Sequence, residues 1–224
     1  EQTISKYTYD YLGNKLSETD ANGNKTQYTY NALGKLASQT FAGDKTISSI
    51  TRYCQYDFAG NLTKQWDTSG KMISKMYDNQ NRLISTTSSK IDGSQAITLA
   101  FSYDINGNLR FETDGNGIKT EYTYDKLGRK KTQSKSAKTT SYTYDANGNL
   151  LKTTDWLGNT YTNVYDELNR LVKKIDPLGK TIENLKFNNN HQQVSSTDAL
   201  GHTTQFAYDN VGRLIKTIDP AGNT

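Results

Sequence analysis

A tyrosine–aspartate pair returns along this chain at a nearly fixed interval, and that interval constrains the fold more than any other feature. The anchor aromatic stands at Tyr9, Tyr30, Tyr56, Tyr77, Tyr103, Tyr124, Tyr144, Tyr165, Phe187 and Tyr208, with separations of 21, 26, 21, 26, 21, 20, 21, 22 and 21 residues. A site occurs once and a building block recurs; here ten copies fill 224 residues. The residue after the anchor is Asp in eight copies and Asn in two, Asn31 and Asn188. Four residues after the anchor stands Gly or Asn in every copy except the one with His191. A backbone position of positive φ accounts for that restriction, being easy for Gly, tolerable for Asn and costly for most other residues. The copy with His191 is therefore expected to be distorted.

The Asp that opens each tight turn, as in Asp10 to Gly13 and Asp145 to Gly148, has a mechanical use. Its short carboxylate can accept the backbone N–H two residues on and close an Asx-turn. Eleven residues after the anchor the same device returns, at Asp20, Asp67, Asp114, Asp155, Asp176, Asp198 and Asp219, each with Gly three residues later, as in Asp155 to Gly158. Between the turns residues alternate as a half-buried strand should, with Tyr142 two before Tyr144, and Lys152 and Thr154 after Leu150. Each copy reads as two strands of about six or seven residues, rich in Tyr, Thr and Ile. No stretch carries a sustained helical period.

Hydrophobic residues make up only 33% of the chain, too few for two buried faces, while Tyr alone contributes 16 residues. A sheet of some twenty strands exceeds the ten or so at which open sheets curl or split, and strand twist forces such a ribbon to coil or close. The expected fold class is all-β: a repetitive antiparallel β-hairpin strip, one layer thick, curling into a spiral or shell section. Residues 1–224 then form a single array whose side chains stack in ladders between successive repeats. The Tyr144 and Leu150 ladders need not lie on the same face. The two 26-residue intervals carry extra residues around "AGDKTISSIT" and "SSKIDGSQAIT", read either as hairpins projecting past one rim or as longer strands.

Lys and Arg outnumber acids by 27 to 23, and a net charge of +4 is too small to imply nucleic acid. The run "GRKKTQSKSAK" at 128–138 reads as a solvated strand face. The single cysteine, Cys54, stands where other copies place Tyr or Phe and reads as a packed thiol. Neither a signal peptide nor a spanning segment is visible. The chain begins inside one repeat and stops inside another, so it reads as an excerpt whose targeting signals lie elsewhere. His191 and His202 lack a third ligand. One Asp per turn followed by neutral residues suits capping better than a Ca²⁺ loop. No nucleophile or phosphate-loop motif is present, and neither a catalytic residue, a cofactor nor a metal is expected. The only indoles, Trp66 and Trp156, could stack on sugar rings; Trp156, directly after Asp155, could equally cover a neighbouring repeat's turn.

The stretches "YDANGNLLKTTDWLGNTYTNVYD", "YDELNRLVKKIDPLGK" and "YDNVGRLIKTIDPAGNT" resemble the YD repeats of the Rhs family. That family includes bacterial polymorphic toxins, shell proteins of insecticidal toxin complexes, wall-associated proteins and animal teneurins. The resemblance implies a strip of hairpins spiralling into a hollow shell, which in toxin members encloses a C-terminal effector. It also implies a secreted or cell-surface setting, here bacterial. Toxin-type members end the shell in a core segment with a self-cleaving aspartyl protease; "DPLG" at 176–179 and "DPAG" at 220–223 resemble fragments of it but occupy ordinary second-turn positions, so they receive no catalytic role. The expected function is a non-enzymatic scaffold that encapsulates or presents an effector of its own polypeptide, with that flanking polypeptide as partner. The second reading is a surface adhesive module that binds glycans through Trp156 and its neighbours.

Overall fold

The computed structural model describes residues 5–43 and 48–224. Among them every regular element is a strand, twenty in all. The first ten are β1 (Lys6–Tyr9), β2 (Lys15–Thr19), β3 (Lys25–Tyr30), β4 (Leu36–Phe41), β5 (Ile50–Tyr56), β6 (Leu62–Asp67), β7 (Lys71–Tyr77), β8 (Leu83–Lys90), β9 (Ile97–Tyr103) and β10 (Leu109–Thr113). The second ten are β11 (Lys119–Tyr124), β12 (Lys130–Lys135), β13 (Lys138–Tyr144), β14 (Leu150–Thr154), β15 (Thr160–Tyr165), β16 (Leu171–Ile175), β17 (Thr181–Phe187), β18 (Gln193–Asp198), β19 (Thr203–Tyr208) and β20 (Leu214–Ile218). The chain falls into two compact halves, 1–119 and 120–224. Within each half the strands form an antiparallel meander in which consecutive strands pair. The expected all-β, antiparallel hairpin strip is what the chain forms.

The strip has no core: among the described residues no apolar side chain is buried, and only Thr120, at 7% exposure, is buried at all. Strands such as β4 and β16 are half-buried along their whole length, so both faces gain cover sideways from neighbouring strands. Leu150 lies directly opposite Tyr144, which puts the two ladders on one face. A bulge between Thr143 and Tyr144 produces that pairing by adding one residue to β14. On the other face hydroxyls bond across hairpins, as in Thr8 to Ser17 at 2.7 Å and Thr123 to Thr132 at 2.6 Å.

Three local results differ from expectation. His191 does not distort its repeat: it takes φ 64° and donates its N–H to the Asn188 carbonyl at 3.1 Å, as the Gly copies do. A single left-handed residue costs about 1–2 kcal/mol, and the hydrogen bonds around it hold the turn. The 20-residue interval dispenses with the second Asp-x-x-Gly turn. Ser136 and Ala137, at φ 50° and 62°, join β12 to β13, with Lys135 opposite Lys138, the geometry of a two-residue type I′ hairpin. In the second 26-residue interval both readings contribute. β8 grows to 8 residues and β9 to 7, and in the loop between them Gly93 donates to the carbonyl of Lys90, which stands where other turns place Asp. In the first such interval, residues 44–47 lie outside the described residues.

Candidate functional site: the joint between repeats

Each repeat is closed by a turn that begins with the residue after the anchor, Asp in eight copies and Asn in two. The Asp145 N–H donates to the Asn149 carbonyl at 3.0 Å and the Gly148 N–H to the Asp145 carbonyl at 3.2 Å, with Gly148 at φ 93°. This is a three-residue hairpin loop ending in a left-handed residue and a bulge. The Asp145 carboxylate accepts the Asn149 backbone N–H and side-chain amide, both at 2.8 Å. Asp10 accepts from the Leu12 and Asn14 backbones at 2.9 and 2.8 Å and from the Asn14 amide at 2.8 Å, before Gly13 at φ 84°. In the second turn Asp155 accepts from the Leu157 and Asn159 backbones and the Asn159 amide, all at 2.9 Å, before Gly158 at φ 88°. The side-chain amide of Asn149 is the foremost cause that holds the Asp145 carboxyl below its ordinary range, and Asn14 and Asn159 do the same for Asp10 and Asp155.

The fifth residue after the anchor is the one that sequence reasoning passed over. It reads Asn14, Lys35, Asn61, Arg82, Asn108, Arg129, Asn149, Arg170, Gln192 and Arg213, an amide alternating with a cation. That alternation was visible in the sequence, but its purpose requires the neighbouring repeat. Arg129 donates Nε to Asp125 at 2.7 Å in its own turn and Nη1 to the Asp145 carbonyl at 2.7 Å in the next. Its guanidinium also lies over the Tyr144 ring, 4.8 Å from the centroid. Arg82 covers Tyr103 and Arg170 covers Phe187, both at 4.6 Å. Lys35 reaches Tyr56 at 5.4 Å and donates to the Gly60 carbonyl at 3.1 Å. In two amide copies the link runs side chain to side chain, Asn61 Nδ2 donating to Asn81 Oδ1 at 2.8 Å and Asn149 Nδ2 to Asn169 Oδ1 at 2.7 Å, while Gln192 Nε2 donates to the Gly212 carbonyl at 3.2 Å.

The anchors form the second half of the joint. Seven of the anchor hydroxyls donate to the carbonyl at the start of the preceding repeat's second strand: Tyr30 to Lys15 at 2.9 Å, Tyr56 to Leu36 and Tyr77 to Leu62 at 3.0 Å, Tyr103 to Leu83 at 2.8 Å, Tyr144 to Lys130 at 2.9 Å, Tyr165 to Leu150 at 3.2 Å and Tyr208 to Gln193 at 2.9 Å. These carbonyls lie beyond the end of the ladder to the next strand, which for β2 and β3 begins at Ser17 opposite Gln27. The phenol thus supplies the donor that the splayed backbone cannot. Burial raises the Tyr144 and Tyr56 phenols above their ordinary range. Tyr124 lies opposite Lys130 within its own repeat, Phe187 has no hydroxyl to offer, and Tyr9, on β1, is 57% exposed.

The two indoles are less available than their composition implied. Trp66 stacks on Tyr53 across the β5–β6 pair, with ring centroids 5.4 Å apart. Trp156 is 51% exposed, and the Lys138 amine lies 4.2 Å from its ring centroid. Lys138 is the residue directly after the Ser136–Ala137 turn. Cys54 is half-buried, with Gln65 Nε2 at 3.7 Å from its sulfur. Among the described residues no group of three His, Cys, Asp or Glu side chains converges, and no helix is long and apolar enough to cross a membrane. What the arrangement performs is mechanical coupling of one repeat to the next.

The comparisons with known proteins agree with this geometry. The chain superposes on the crystal structure of TcdB2–TccC3–Cdc42 with a TM-score of 0.77 and 16% identity, over 95% of this chain and 13% of that one. TcdB2–TccC3 without its hypervariable C-terminal region gives 0.76 and 17%, over 95% and 13%. The Photorhabdus luminescens Tc holotoxin pore gives 0.66 and 16%, over 98% and 15%. This chain therefore spans roughly an eighth of the length of those chains, and at such identities the likeness is one of fold. No curated protein sequence matches. The RHS Repeat signature matches residues 9–46, and the Teneurin YD-shell signature residues 58–224, well over half of the chain. With turns, anchors and fold in agreement, the chain belongs to the Teneurin YD-shell family.

Proposed function

We propose that the ten repeats act as a single array, one section of a YD-repeat shell that encapsulates or presents a C-terminal effector of the same polypeptide. The observation that carries this reading is the joint itself. The repeats spend the Asp or Asn after the anchor on a turn, seven anchor hydroxyls on the preceding repeat, and fifth-position side chains such as Arg129 on the next one, within a strip whose described residues include no buried apolar side chain. Such a strip is a wall rather than a catalyst, and the likeness to TcdB2–TccC3 chains supports a shell role. A secreted or cell-surface setting goes with this reading, and the flanking polypeptide is its partner. Limited proteolysis of the full-length polypeptide tests it: the segment C-terminal to the repeats is expected to resist cleavage that destroys the same segment expressed alone. Equal cleavage rates would sink encapsulation. The glycan reading has weaker support, since one indole is stacked and the other meets a lysine. Saturable glycan binding that vanished in Trp156→Ala would revive it.

A further inference from the structure

Repeat length varies in one phase only. Every interval between anchors that follows an amide copy is 21 residues, whereas those that follow Lys35, Arg82, Arg129 and Arg170 are 26, 26, 20 and 22. Residues that the building unit does not need are free to serve another purpose, as functional loops on a repeated scaffold do. The β8–β9 hairpin carries such an insertion, and it folds back on the strip. The Ile91 N–H donates to the Gly70 carbonyl at 2.8 Å, and Ile97 approaches Gly115 so closely that a Cβ added there would collide with Ile97 Cγ2. Between this hairpin and the turn at 67–70 lies a groove of about 620 Å³, the size of a small-ligand site.

Lys71 and Lys90 line the groove directly opposite each other across the β7–β8 pair. Like charges so placed destabilise a sheet, and neither ammonium has an ion-pair partner among the described residues. The nearby carboxylates hold turns instead: Asp67 accepts from Ser69 Oγ at 2.6 Å and from the Lys71 N–H at 3.2 Å, and Asp92 accepts the Ser94 N–H at 2.8 Å. Gln95, also in the lining, takes φ 55°, a strained conformation for a side chain of its kind. Ile91 and Ile97, each more than half exposed, supply an apolar side. We propose that this groove binds a small phosphate monoester. The two ammoniums straddle its dianionic head, the Ser88 hydroxyl and Gln95 amide donate to its oxygens, and its organic body lies on Ile91 and Ile97. Asp92, in the same lining, repels a second anionic group, so the site takes a single phosphate in preference to a polyanion.

Phenyl phosphate is the probe, titrated with the chain and followed by its phosphorus NMR linewidth. Saturable broadening with a Kd of about 1 mM is expected, and phenyl sulfate, a monoanion, should compete about tenfold more weakly. Lys71→Gln and Lys90→Gln should each raise the Kd about tenfold, while Lys25→Gln, four strands away on β3, should leave it unchanged. The probe should raise the Tm of the unaltered chain but not that of Lys90→Gln. Without the probe, Lys90→Gln should melt no lower than the unaltered chain, because it removes a like-charge pair. Equal weakening by Lys25→Gln and Lys90→Gln would reduce the effect to general surface charge and overturn the proposal, as would the absence of saturation up to about 10 mM. The same titration on the full-length polypeptide should give the same Kd; loss of binding there would mean that flanking polypeptide fills the groove, and would overturn it too.

Discussion

Gly148 and Asn169 occupy equivalent turn positions for different reasons. A Cβ built on Gly148 meets nothing within 4 Å, so its constraint is backbone alone, at φ 93°. Gly148→Val is expected to lower stability by about 1–3 kcal/mol in urea unfolding. Asn169 tolerates φ 61° and also accepts amide hydrogen bonds from Asn147 at 2.9 Å and Asn149 at 2.7 Å. Asn169→Gly should therefore destabilise by about 1 kcal/mol although glycine suits the backbone better; a gain in stability would contradict the rim link. The backbone half of this was legible in the sequence, because positive φ restricts residue type. The link was not, because it depends on a side chain about twenty residues away. The turn carboxylates also set an acid limit. Their folded pKa values lie below the ordinary one, so their contribution is present above the unfolded value and lost as pH falls through the folded one. The melting temperature should hold above about pH 5 and fall below about pH 4. Asp145→Asn, which removes one such carboxylate, should shallow that fall.

At the scale of the strand and hairpin, alternation and turn chemistry revealed the pairs, and they fail where geometry is set by contact. Ser136 and Ala137 have no preference for positive φ, so the shortest hairpin had no local signature. The shared face of Tyr144 and Leu150 was hidden too, because a one-residue bulge shifts the parity that simple alternation counts. Phe187 gives an element-level test. Arg170 covers its ring, but it lacks the hydroxyl that seven other anchors donate to the preceding repeat. Phe187→Tyr should donate to the Leu171 carbonyl and stabilise the chain by about 0.5–1.5 kcal/mol in thermal or urea melts. Unchanged or lowered stability would mean that the hydroxyl ladder contributes little to the joint.

For the whole molecule, composition and period were enough to exclude a conventional core. With 33% hydrophobic residues the chain cannot fill two buried faces, and none of its described apolar side chains is buried. What took its place could not be read from one repeat, since Arg129 acts on Tyr144 and Asn149 on Asn169. Stability is then approximately a sum over repeats and their joints, and removing repeats in register should leave the rest folded. Deleting residues 145–187 takes out two repeats, joins Tyr144 to Asn188 and preserves the alternation of amide and cation copies. Guanidinium unfolding of that shortened chain, followed by circular dichroism, tests the central claim most directly. A folded β-protein with a modestly lower midpoint and a proportionally smaller denaturant slope is the predicted result. Loss of all cooperative structure would contradict it, because it would mean that the chain depends on a packed centre and not on the joints between neighbours.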